Sequence, residues 1–149
     1  MKKYELTEET VTVYGKTLYR IRAVRDFGSV KTREFGGYIE KEENLSHFGN
    51  AWISGDARVS GNAWVYGNAE VFNTRHFFVQ GPIGSRDGYV TFYRTKDDTV
   101  EVRCGCFSGS LQKFVDRVEE THGGSRYEKE YKLAAELAKV CIRLEGESR

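Results

Sequence analysis

The sequence predicts a mainly β fold with α-helices, in three consecutive parts: a β cap over residues 1–36, a short parallel β-helix over 37–84, and a ββαα module over 85–149. Three observations predict it. The stretch 49–72 reads GNAWIS-GDARVS-GNAWVY-GNAEVF, four copies of one six-residue phrase. Six is neither the period of a helix nor that of a lone strand, and it matches a solenoid in which each hexad forms one side of a coil. Before the repeat, two alternating segments flank a Gly-Lys turn. After it, alternating segments give way to helical spacing.

Each position of the phrase has a physical role. Ile53, Val59, Val65 and Val71 supply aliphatic side chains. Ala51, Ala57, Ala63 and Ala69 stand two residues earlier, and so share a face with them. The pairs Gly49-Asn50, Gly55-Asp56, Gly61-Asn62 and Gly67-Asn68 fall where the chain must turn, and these residue types tolerate positive φ at lowest cost. A meander of hairpins is the alternative, but six-residue spacing leaves it little strand between turns. Extended in weakened form from Gly37 to Gly84, the phase makes fewer than three coils, which must be capped by flanking segments or by partner chains.

The amino-terminal part reads as a hairpin. Thr10–Tyr14 alternates, Gly15-Lys16 turns, and Leu18–Val24 alternates again, with Tyr19, Ile21 and Ala23 as its predicted inner face. Beyond the repeat, Tyr89–Thr95 and Val100–Cys106 read as a second hairpin around Lys96–Thr99. Ser110 is placed to cap a helix over Leu111–Thr121, and Gly123-Gly124 ends it. Ser125 and Glu128 have capping-box spacing for a longer helix from Arg126 to about Leu144, followed by the polar tail Glu145–Arg149.

Composition narrows the function classes. Net charge is +1 with 23 basic and 22 acidic residues, which gives no electrostatic case for nucleic acid or an anionic membrane. The start, MKKYELTEET, has no apolar run, so neither a signal peptide nor a membrane span is expected. Three cysteines, two of them in a Cys-x-Cys pair, fit a reducing cytoplasm better than a secreted disulfide scaffold.

Residues eighteen apart would stack on adjacent coils, so Phe48, Trp64 and Tyr66 share one outward face and Trp52 and Phe72 another. Large aromatics pointing outward mark a subunit interface or the seat of another segment. Where they mark an interface, the expected partner is a second copy of the chain, and open coil ends suit a dimer stacked end to end.

The pieces YELTEETVTVYGKTLYRIRAVRDFG, GGYIEKEENLSHFGNAWISGDARVSGNA, GPIGSR and CGCFSG followed by VEETHG span nearly the whole chain. On them, the sequence resembles uncharacterised hexapeptide-repeat proteins of gut bacteria and their phages, often labelled acyltransferases. The resemblance implies a left-handed β-helix and trimeric assembly, and it speaks for architecture more than for chemistry.

Three candidate sites follow. In Gly81-Pro82-Ile83-Gly84-Ser85-Arg86, the glycines free N–H groups to point at an anion, Ser85 adds a hydroxyl and Arg86 a forked cation. Arg94 and Lys96 on the next strand add charge if their faces agree. This suits a small anionic ligand, although the spacing is not that of a P-loop and the segment equally suits a simple change of direction. Cys104 and Cys106 with His122 raise a metal site or a reactive thiol, set against plain buried thiols. His76 and His47 are the candidate general bases of an acyl-CoA-dependent transferase, as the resemblance suggests, with His76 expected to point outward. No cofactor is expected. The leading reading is a non-catalytic, self-associating protein that captures a small anionic ligand, for instance a host defence nucleotide sequestered by a phage. A transferase, and a module that binds or inhibits a host protein through its aromatic faces, are the alternatives.

Overall fold

The computed structural model describes residues 2–145; residues 146–149 of the expected polar tail lie outside it. Among the described residues the fold is mixed α/β, with ten strands in three sheets and two α-helices, and not the mainly β arrangement of cap, left-handed parallel β-helix and ββαα module expected above. The chain divides into two compact units between residues 74 and 75.

In the first unit, β1 (Tyr4–Val13) and β2 (Lys16–Ala23) form the expected hairpin. The predicted inner face is only partly right. Ile21 and Ala23 are buried, but so is Leu18, while Tyr19 is half-buried. The β1–β2 register shifts between Leu6 and Thr10, opposite Tyr19–Ile21, so the pairing is irregular between Leu18 and Ile21. β2 pairs antiparallel with β3 (Phe35–Ile39), which pairs parallel with β5 (Arg58–Val59). A separate two-stranded sheet joins β4 (Trp52–Ile53) in parallel to β6 (Glu70–Val71).

The hexads therefore build no run of β-helix coils. Each leaves two extended residues at most between corners, and Trp64–Tyr66 contributes only an isolated bridge, Leu45 to Val65. The other edge of β3 is taken by an antiparallel strand, so the mixed sheet does not continue as a solenoid. After Thr74 the Gly-Asn corners and alanines disappear, and Phe77–Ile83 becomes one continuous strand.

Within the hexads the local reading of residues still describes burial. All four alanines and the four aliphatic residues are buried. Gly49, Gly55, Gly61 and Gly67 have φ of +70°, +60°, +67° and +67°, the left-handed turn backbone that glycine adopts without strain. Asn44, in the 3-10 turn Glu42–Asn44, is buried and fully used. Its Oδ1 accepts from the backbone N–H of Glu40 and of Lys41, both at 3.1 Å, and its Nδ2 donates to Gly61 O at 3.1 Å and Ala63 O at 2.9 Å.

The amino terminus is anchored by a buried lysine. Lys3 Nζ donates to Ala51 O at 2.6 Å and to Gly49 O at 3.4 Å, and lies 4.8 Å from the centre of the Phe27 ring. Burial, and secondarily the nearby Arg25 charge, lower its pKa to about 8.

The second unit is a four-stranded antiparallel sheet in the order β10-β9-β8-β7, with two helices. Its strands are β7 (Phe77–Ile83), β8 (Gly88–Arg94), β9 (Val100–Cys104) and β10 (Phe107–Ser110). The module is thus ββββαα, because β7 comes from residues assigned to the repeat and β10 was not foreseen. Ser110 Oγ accepts from Lys113 N at 3.2 Å and caps α1 (Leu111–His122). α2 (Arg126–Cys141) ends before Leu144, where Ile142 turns extended. The expected capping box is absent: Glu128 accepts from Gly124 N at 2.9 Å, and Ser125 Oγ donates to His122 O at 2.7 Å. Val90, Phe92 and Val102 of the sheet pack on Phe114 and Val118 of α1 and on Ala134, Ala135 and Ala138 of α2. The small alanines let α2 lie close to the sheet.

Candidate functional site

Gly84, Ser85, Arg86 and Asp87 form the turn between β7 and β8, closed by Asp87 N donating to Gly84 O at 3.3 Å. Gly84 has φ +79° and is buried, whereas Ser85 and Arg86 are exposed. A Cβ at Gly84 would collide with the hydroxyl and ring of Tyr131, so this residue is glycine for both conformation and space. Gly81 is equally confined, by the Tyr89 ring and by Gly88 O.

The Gly84 N–H, the donor expected to face an anion, donates to Glu130 Oε1 at 2.8 Å. The other carboxylate oxygen, Oε2, lies 3.8 Å from Arg126 Nε, one helical turn back. Arg86 makes no ion pair among the described residues. Its charge reaches the Tyr131 hydroxyl, where it opposes a rise in pKa caused first by burial and then by Cys104 and Glu130. Burial raises the pKa of the Cys104 thiol, and its neighbour Tyr131 opposes that rise. His122 packs on Tyr131 with ring centres 5.6 Å apart.

Two of the candidate sites therefore meet around Tyr131: the Gly84–Arg86 turn, and Cys104 with His122. No protein-family model matches the chain, and no curated protein matches it.

The remaining predicted residues lie elsewhere. Arg94 is buried at the far end of β8, about 20 Å along the strand from the turn. It is held by Asp98 at 2.9 Å and Glu145 at 3.6 Å. Lys96 is exposed in the next turn, so neither residue joins Arg86. Cys106 is exposed beyond the tight turn at Gly105, and among the described residues no three His, Cys, Asp or Glu side chains gather to hold a metal.

His47 is poorly placed for a base. Its Nδ1 accepts from Lys3 N at 3.0 Å, which puts the proton on Nε2, and Nε2 donates to Glu42 Oε1 at 3.0 Å. Both nitrogens are used. That bond also holds the Glu42 carboxyl below its ordinary pKa. His76, expected to point outward, is buried at 4% exposure.

The aromatic positions separate. Trp52 is buried, with Phe27 at 5.2 Å and Tyr4 at 6.5 Å between ring centres, so it serves the core. Phe48 is 76% exposed, Trp64 39% and Phe72 38%. Tyr66 is half-buried, edge-on to Trp64 at 5.9 Å. Phe48 and Trp64 flank a groove of about 450 Å³ floored by Leu45 and Ala63 and rimmed by Lys41, Glu43 and Asn62. Among the described residues no helix is long and apolar enough to cross a membrane.

Sequence reasoning missed Glu130, Tyr131 and Arg126 as members of the turn site. Tyr131 carried only the signal of its place in the predicted second helix. Nothing in the sequence near Glu130 ties it to a turn 46 residues away.

Proposed function

We propose that this chain is a non-catalytic, self-associating binding protein that captures a small anionic ligand at the turn between β7 and β8. One observation carries the reading. A carboxylate already sits on the Gly84 N–H, between the exposed guanidinium of Arg126 and the turn that carries the exposed Arg86. Backbone donor, hydroxyl and forked cations are the groups that bind carboxylates and phosphates. The engagement of both His47 nitrogens and the burial of His76 favour binding over acyl transfer. In its concrete form the ligand is a nucleotide signal of a host defence system, held in the bacterial cytoplasm. That form follows from the resemblance to proteins of gut bacteria and their phages.

Native mass spectrometry of protein purified from cells tests the reading. The expected result is a retained small molecule that Arg86→Ala releases; retention unchanged in that variant refutes the site. The same spectra give the number of copies in the assembly.

A second reading is favoured by the exposed Phe48 and Trp64 beside their groove: contact with a partner protein through this face. A stable complex that Trp64→Ala dissolves would support it.

A further inference from the structure

We propose that Glu130 is a built-in occupant of the anion site, and that a ligand must displace its carboxylate to reach the Gly84 N–H. The proposal rests on the binding function above and adds how the site selects. Gly84 is buried, and its N–H is committed to Glu130 Oε1 at 2.8 Å. An incoming anion therefore meets a negative charge at the donor it needs.

The carboxylate is placed to leave. The Glu130 side chain is 34% exposed, and its second oxygen already faces Arg126, which is 83% exposed and four residues earlier on the same helix. A rotation about the side-chain bonds of Glu130 keeps it near Arg126 while freeing the amide. Tyr131, the next residue, stays packed against Gly84, so the floor of the site survives the exchange.

The exchange sets the ligand class. A monocarboxylate offers the Gly84 N–H nothing that Glu130 does not, and it lacks the advantage of being tethered. A phosphoryl group brings about two charges and three acceptor oxygens, enough to engage the amide, the Ser85 hydroxyl and Arg86 together. The site thus admits phosphoryl-bearing small molecules and resists carboxylates. Glu130 is a selectivity residue that touches the ligand's position rather than a donor to the ligand.

Calorimetric titration with pyrophosphate and, separately, acetate tests this on the full-length wild type, Glu130→Gln, Glu130→Ala and Arg86→Ala. Gln keeps an oxygen for the Gly84 N–H without the charge, so this variant carries the test if the Ala variant loses its fold. The expected result is pyrophosphate binding about tenfold tighter in the Glu130 variants, the effect of removing one nearby like charge. Acetate should gain measurable binding only in those variants. Pyrophosphate affinity that Arg86→Ala weakens but Glu130→Gln leaves unchanged or lowers overturns the displacement and leaves the binding function standing. No saturable pyrophosphate binding in the wild type or in either Glu130 variant overturns both.

Discussion

Replacing Lys3 by Met should change how the stability of the protein depends on pH. In the folded chain the Lys3 ammonium is fully buried, held by two backbone carbonyls and the face of Phe27. Its pKa is about 8, against an ordinary 10.5. Below pH 8 both folded and unfolded chains carry the proton, so this residue adds no pH dependence. Between pH 8 and 10.5 the unfolded chain holds a proton that the folded chain has released, and raising the pH then favours folding. At about 1.4 kcal/mol per pH unit, the wild type gains roughly 3 kcal/mol over this window relative to Lys3→Met. The Tyr4 hydroxyl, whose pKa is raised by burial, works in the opposite direction at higher pH, but it is common to both proteins and drops out of the difference. Urea unfolding followed by tryptophan fluorescence at pH 7.5, 8.5 and 9.5 reads the effect, with Trp52 packed on Phe27 as a reporter. A wild-type-minus-variant difference that stays flat from pH 7.5 to 9.5 would refute the reasoning.

Other outcomes follow from single contacts. Gly84→Ala combines a left-handed backbone with displacement of Tyr131 and should cost about 2 kcal/mol or more by urea unfolding; a loss under about 0.5 kcal/mol would mean that Tyr131 moves freely. Asn44→Leu removes four hydrogen bonds to backbone groups, and a loss of about 2–4 kcal/mol is expected in the same assay. Phe114→Ala empties the centre of the second unit's core and should cost about 3–5 kcal/mol in thermal or chemical melts. Phe48→Ala, on an exposed ring, should stay within about 0.5 kcal/mol of the wild type while weakening any complex formed through that face.

The hexad phrase made the burial of its own side chains and the position of its turns readable, because both depend on neighbours within six residues. It did not make strand pairing readable. Whether Ile39 meets an antiparallel strand on one edge and Val59 on the other depends on residues 19 and 59, which no local period connects. Phe77–Ile83 shows the same limit. Its phase continued the repeat loosely, but with no glycine corner before Gly81 and an unbroken apolar start it could extend, and β8 offered Phe77–Gln80 a regular antiparallel edge. The turn site was half legible. Gly84, Ser85 and Arg86 are adjacent in sequence and announce a turn with donors. Their counter-group Glu130 arrives from a helix that only the packing of Ala134, Ala135 and Ala138 brings near. His47 was visible as a histidine, but the engagement of its Nδ1 depends on a backbone N–H 44 residues away.

The amide of Asn44 cannot be exchanged for a carboxylate without cost. Hydrolysis to aspartate would turn a nitrogen that donates to Gly61 O and Ala63 O into a negatively charged oxygen pressed against both carbonyls. One slow chemical event with a mass change of a single dalton would thereby loosen the turn at residues 61–63, and damaged molecules would be recognisable by early unfolding of the first unit.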